Sequence, residues 1–198
     1  MSKQELMEEV ASEVMACRKC GLWEKRKNPV PGGGTLNADV MFVGEAPGYW
    51  EDLKGEPFVG AAGEILDKML SKIGLSRDRV YIGNILKCRP PENRDPSASE
   101  IKTCAPYLDQ QISIIRPKFI VTLGRHSTSY ILSKCGLETE GITRLHGRKY
   151  EVELLGFQAL VIPMYHPAAV LYNPKYRRDL EIDFQLLGRE LERLGLFD

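Results

Sequence analysis

Asp39-Val40-Met41-Phe42-Val43-Gly44-Glu45-Ala46-Pro47-Gly48 joins an apolar run to a Gly- and Pro-containing loop. Residues 40–43 form an unbroken apolar run between Asp39 and Gly44. Such a run reads as a strand buried on both faces, with GEAPG (44–48) as the tight loop that leaves it. Two more short apolar runs end in the same way. Val80-Tyr81-Ile82 runs into Gly83-Asn84, and Phe119-Ile120-Val121-Thr122-Leu123 runs into Gly124. Helical patterns lie between and after them: residues 61–73, a helix from Ser97 to about Ile115 with a kink or break expected near Pro106, and residues 126–134. Residues 148–155 and 158–162 read as two strands, paired as a hairpin. The loop PMYHPAAVLYNP (163–174) leads to a last helix over about 175–194. Ser2 with Glu5, and Ser97 with Glu100, have the spacing of capping boxes that open helices. Strands alternating with helices predict a single-domain three-layer α/β/α sandwich around a central, mainly parallel four-stranded sheet. In such sheets the site lies beyond the carboxyl ends of the strands. That rule brings GEAPG, Asn84 and the segment around His166 to one crevice.

The 198 residues suit one domain covering 1–198, with an N-terminal helix and a Cys-rich arm over about residues 1–35. At 43% hydrophobic and 27% charged, the chain can bury a sizeable core. It has no apolar run of about 18 residues, so no membrane-spanning helix is expected. MSKQELMEEVASEV is acidic and amphipathic rather than signal-like, so a cytoplasmic location is expected. The charges balance, 27 against 27, which at first argues against a nucleic-acid partner. Their distribution says otherwise. Arg18, Lys19, Lys25, Arg26 and Lys27 cluster in the arm, Arg144, Arg148 and Lys149 in another segment, and Lys175, Arg177 and Arg178 at the last helix, while Glu5, Glu8, Glu9 and Glu13 share the first helix. A basic face and an acidic remainder predict salt-sensitive nucleic-acid binding. The many Glu, Lys and Arg and few Asn and Gln suit a thermophilic source.

Five cysteines in a chain of this kind point to metal ligation or catalysis rather than a disulfide framework. Cys17 and Cys20 form a CxxC, and Cys88 and Cys104 follow, 16 positions apart. Four thiolates suit zinc and an iron–sulfur cluster alike, and the spacing does not choose between them. Either would pin the arm to the central layer. Cys135 has no partner in sequence and reads as an isolated thiol.

The polar loops supply the chemistry. GEAPG is neither a dinucleotide fingerprint nor a Walker loop. Its glycines permit close backbone approach to a ligand, and Glu45 there either orients a water or is a solvated surface charge. Phe58, in the Gly-rich EPFVGAAG (56–63), is either a stacking platform for a flat ligand or a core plug. Asn84 offers a donor and an acceptor suited to a pyrimidine edge, or it caps the strand. His166, fixed by Pro167 at a strand end, is a candidate acid, base or hydrogen-bond donor.

Taken together, GEAPG, EPFVGAAG, GNILKCRPPENRDP, PKFIVTLGRHS, HPAAVLYNP and the four cysteines resemble the family 4 uracil-DNA glycosylases, over about residues 14–185. The resemblance implies the uracil-DNA glycosylase-like fold and one structural four-iron four-sulfur (4Fe-4S) cluster on Cys17, Cys20, Cys88 and Cys104. It implies Glu45 and His166 as catalytic groups, and Phe58 and Asn84 as the residues that stack on and read uracil. Gly44 and Ala46 would supply backbone contacts, and Glu51 would crowd out the thymine methyl. Arg125, Arg144, Arg148, Leu171 and Tyr172 are the candidate DNA contacts, with Tyr172 standing where many relatives carry Arg. YWEDLKGEP (49–57) holds no His insert of the kind that traps uracil covalently, which implies turnover. The implied activity is monofunctional removal of uracil from single- or double-stranded DNA, as a first step of base excision repair in a prokaryotic cytoplasm, at the nucleoid. The expected enzyme is a monomer. No residues can be assigned to a sliding-clamp partner. Readings from other classes are a non-catalytic iron–sulfur or zinc nucleic-acid-binding module, a glycosylase that also accepts deaminated purines, and a small-molecule hydrolase.

Overall fold

A computed structural model describes residues 1–197. Helix α1 (Lys3–Ala16) opens at Ser2, whose side chain accepts from the Glu5 amide while the Glu5 carboxylate accepts from the Ser2 amide. Then come β1 (Gly33–Gly34), β2 (Val40–Gly44), α2 (Tyr49–Lys54), α3 (Ala61–Lys72), β3 (Tyr81–Asn84), α4 (Ala98–Ile115) and β4 (Phe119–Leu123). They are followed by α5 (Arg125–Lys134), α6 (Ile142–Leu145), β5 (Tyr150–Leu154), β6 (Phe157–Met164), α7 (Ala168–Tyr172) and α8 (Tyr176–Arg193). Among the described residues no helix is long and apolar enough to cross a membrane.

The strands form one six-stranded sheet in the order β1-β3-β2-β4-β6-β5. Its centre, β3-β2-β4-β6, is the parallel four-stranded sheet expected from the apolar runs. Two antiparallel edges extend it, which corrects the strand count. β5 pairs with β6 as the expected hairpin, and β1 pairs with β3. β1 lies where the Gly- and Pro-rich arm reads as a loop. A side chain at Gly34 would run into the Val80 carbonyl, so a bare glycine lets this edge approach.

Alternation along the strands makes the layers. Val40, Phe42, Phe119, Val121 and Ile162 face α3 and α8 in one core. Met41, Val43, Ile120 and Val161 face α4 and α5 in the other, which also takes Met7 of α1. A smaller apolar cluster docks the arm, joining Val10, Val14 and Leu22 to Leu86, Cys88, Cys104 and Tyr107.

Three local expectations are corrected. Helix α4 runs unbroken through Pro106. Residues 49–54 form α2, where the sequence reads as a connecting segment. Residues 168–172 form α7 within the expected loop. Both extra helices are a turn or so long, too short to show apolar periodicity.

Candidate active site

The carboxyl ends of β2, β3 and β6 converge as the parallel-sheet rule requires. Gly44 and Asn84 sit side by side in register at the ends of β2 and β3. Asn84 is 2% exposed, and its Oδ1 is buried without a hydrogen-bond partner. A Cβ on Gly44 would collide with that oxygen and lie 2.9 Å from the Phe58 ring, so glycine keeps this floor open. Above it is a small pocket lined by Ala46, Glu51, Phe58, Asn84 and His166, with Ala62 and Gly63 of α3. Six of the residues expected at the site thus meet in one place, five as walls and Gly44 behind them. The pocket adjoins an open cleft of about 1140 Å³, where Glu45, Trp50, Arg94, Leu171 and Tyr172 stand.

Phe58 is held in a left-handed backbone conformation, φ 50°, which a non-glycine residue adopts at a cost. Arg77 supports it. The guanidinium donates to the carbonyls of Pro57, at 2.9 Å, and Phe58, and is itself held by Asp67. Gly63 faces the Phe58 carbonyl so closely that a Cβ there would overlap it. The Phe58 ring is buried and stacks against His166, centroids 5.4 Å apart and planes inclined by 24°. Glu51 lines the pocket, and its carboxylate also accepts from the amides of Gly48, Val59 and Gly60 at 2.9–3.0 Å. It therefore ties the GEAPG loop to the Phe58 loop.

His166 follows β6 at a turn fixed from two sides. Gly124, at φ 93°, donates its N–H to the Met164 carbonyl at 2.8 Å, and it leaves only 3.2 Å between an added Cβ and that of His166. The Ala168 amide donates to His166 Nδ1 at 3.1 Å. That bond makes Nδ1 the acceptor and places the proton on Nε2. Burial pushes the His166 pKa down to about 4, so the ring is a neutral Nε2–H donor at ordinary pH. Glu45 is half-buried on its loop. Burial raises its pKa above the usual carboxylate value, with His126 and Arg125 pulling it down and Asp95 pushing it up.

The four arm and core cysteines line a second, tight pocket with Val14, Leu22, Arg26 and Tyr107. Among the described residues the five cysteines form no disulfide. Arg26 donates to Cys88 Sγ at 3.2 Å, and the Lys87 amide to Cys104 Sγ at 3.2 Å. Both are donors suited to a thiolate. Cys135 stands apart at the end of α5.

The candidate DNA contacts are less concentrated. Leu171 and Tyr172 project at the cleft, 50% and 89% exposed. Arg125 is paired with Asp95, and Arg144 with Glu140 at 3.3 Å. With the exposed Arg148, these three arginines stand outside the cleft lining. Sequence reading missed Arg77, Asp95 and His126. Arg77 gives no signal, because its partners are backbone carbonyls. For His126 a signal existed: it lies just past the carboxyl end of β4, beside the candidate Arg125.

The family profile described as the uracil DNA glycosylase superfamily matches residues 31–185. The chain is 55% identical over 186 residues to the type-4 uracil-DNA glycosylase of Sulfurisphaera tokodaii, covering 93% of this chain and 84% of that one. It is 52% identical over 184 residues to the type-4 enzyme of Archaeoglobus fulgidus, covering 93% and 92%. To that of Thermotoga maritima it is 41% identical over 172 residues, covering 87% and 86%.

Proposed function

The chain belongs to the uracil DNA glycosylase superfamily, and from that premise we propose that it hydrolyses the N-glycosidic bond of uracil in DNA and leaves an abasic site. The observation that carries this reading is the unpartnered Oδ1 of the buried Asn84, facing a pocket walled by Phe58 and His166. A buried acceptor without a partner costs roughly 1–3 kcal/mol, which a ligand N–H would relieve.

Uracil leaves the base stack to reach such a pocket, at a cost of a few kcal/mol. Stacking on Phe58 returns on the order of 1–3 kcal/mol. Asn84 accepts from N3–H and donates to O4. Cytosine reverses both groups, leaving the buried amide mismatched, and sites built in this way discriminate strongly. As the bond to the sugar breaks, negative charge gathers on the base. The neutral Nε2–H of His166 and backbone amides near Ala46 are fixed donors for uracil O2. Glu45 takes the proton of the attacking water and offsets positive charge on the sugar. Glu51 holds the two loops together beside the base, which suits a part in excluding the thymine methyl. Leu171 and Tyr172, exposed at the cleft, would probe the duplex, and Arg125, Arg144 and Arg148, outside the cleft lining, would meet phosphates.

The cysteine set fits a 4Fe-4S cluster held by Cys17, Cys20, Cys88 and Cys104. Tetrahedral zinc with Zn–S of about 2.3 Å requires sulfurs about 3.8 Å apart. Among the described residues no three cysteine sulfurs approach within 4.8 Å of one another, a spacing that favours a larger group. Bound there, with all four thiolates engaged, it supplies cross-linking of the arm to the layer rather than chemistry on DNA. The expected enzyme is one domain acting as a monomer on single- or double-stranded uracil-containing DNA in a prokaryotic cytoplasm.

Purified protein incubated with single- and double-stranded uracil oligonucleotides should create sites that break only on alkali treatment. Asn84→Ala should lower release by at least about 100-fold. Absence of alkali-labile sites with the wild-type chain, or near-normal release by Asn84→Ala, overturns the reading.

A further inference from the structure

Among the described residues, two side chains have a buried polar atom without a partner: Asn84 Oδ1 and His126 Nε2. The base accounts for the first. His126 stands in the first turn of α5, with its Nε2 3.8 Å from Glu45 Oε2 and 3.7 Å from Asp95 Oδ1. Both gaps exceed a hydrogen bond. The three groups nonetheless present atoms within 4.8 Å of one another. Three points so spaced lie within about 2.8 Å of a common centre, the length of an ordinary hydrogen bond to water.

We propose that Glu45, Asp95 and His126 form a three-point cradle for the water that attacks the sugar, with Asp95 and His126 orienting it while Glu45 takes its proton. This rests on the reading of the site as a uracil-excising one. The donor count closes. The water gives its two O–H groups to the carboxylates of Glu45 and Asp95 and accepts the Nε2–H of His126 on one lone pair. The second lone pair is left to attack C1′. The O–C1′ bond forms as the N1–C1′ bond breaks, and that electron pair leaves on uracil, where His166 holds O2. The water's proton passes to Glu45 and returns to the departing base through solvent. Arg125, paired with Asp95, keeps that carboxylate in place from the solvent side.

Single-turnover excision with enzyme in excess, paired with binding to an oligonucleotide carrying a cleavage-resistant 2′-fluoro uridine, tests this. His126→Ala should slow excision by about tenfold to hundredfold while DNA affinity stays within threefold. His126→Gln, whose amide N–H reaches close to the Nε2 position, should restore part of the rate. The charged groups facing Glu45 are His126 and Arg125 from α5 and Asp95 from the segment before α4. Asp95→Asn removes a negative neighbour and should move the acid limb of the pH–rate profile to lower pH. His126→Ala should move it to higher pH. A packing role alone moves neither limb, and Asp95, 63% exposed, can be altered without threat to folding. A His126→Ala rate within threefold of wild type, or acid limbs unmoved in both variants, overturns the cradle. A wild-type chain that releases no uracil overturns the function itself, a separate result.

Discussion

His166 is held as a neutral Nε2–H donor by two neighbours and by burial. Ala168 fixes the tautomer, Gly124 gives the turn room, and burial holds the ring neutral down to about pH 4. The last effect has a signature in stability. The unfolded chain binds the imidazole proton near pH 6.5, whereas the folded chain resists it until about pH 4. Between those values the unfolded state binds more protons, so stability falls as the pH drops. The gap corresponds to about 3 kcal/mol once the pH is below both values. Urea titrations at pH 7, 5 and 4 should show that fall in the wild type and a clearly smaller one in His166→Gln. An equal fall in both would place the acid sensitivity elsewhere. Residues of this kind were legible where a strand end announced them: Glu45, Asn84 and His166 each follow an apolar run. Arg77 was not, because a guanidinium that serves backbone carbonyls has no pattern along the chain.

The central strands and long helices were legible because each carries a repeated signal, four or five apolar residues in a row or an amphipathic stripe. Elements shorter than two helical turns carry none, and α2, α7 and β1 went unread for that reason. Yet α2 places Glu51 against three amides, and α3 supports the stacking ring through a missing side chain. Gly63 is the test of that contact. Gly63→Ala would put a methyl group into the Phe58 carbonyl and force apart the α3 start and the left-handed turn. Overpacking of this kind costs about 1–3 kcal/mol. The variant should therefore melt lower and excise uracil at least tenfold more slowly, read by thermal denaturation and single-turnover assay. A normal rate at normal stability would show that the Phe58 loop shifts without consequence.

At the scale of the molecule, the arm docks on few apolar residues, Val10, Val14, Leu22, Leu86 and Tyr107. Cys88 and Cys104 bracket the segment that carries Asp95, so a cluster bound on the four thiols would steady the loop of the proposed water cradle as well as the arm. Cys88→Ser should bleach the brown absorbance expected of the cluster, lower Tm by about 10 °C or more and reduce excision. Colourless wild-type protein purified without oxygen, or a Cys88→Ser variant with unchanged Tm, would count against that role. The balanced total charge misleads about DNA because it sums an acidic α1 with a basic arm. The two antiparallel margins of the sheet have a consequence of another sort. An open edge is a template for a neighbouring chain. Here one margin is β1, two glycines long, and the other is β5, where Glu151 and Glu153 point outward between buried Val152 and Leu154. A strand arriving at the first finds almost nothing to pair with, and a second copy arriving at the other meets its own negative charge. The sheet thus offers a poor template for lengthwise growth by edge pairing.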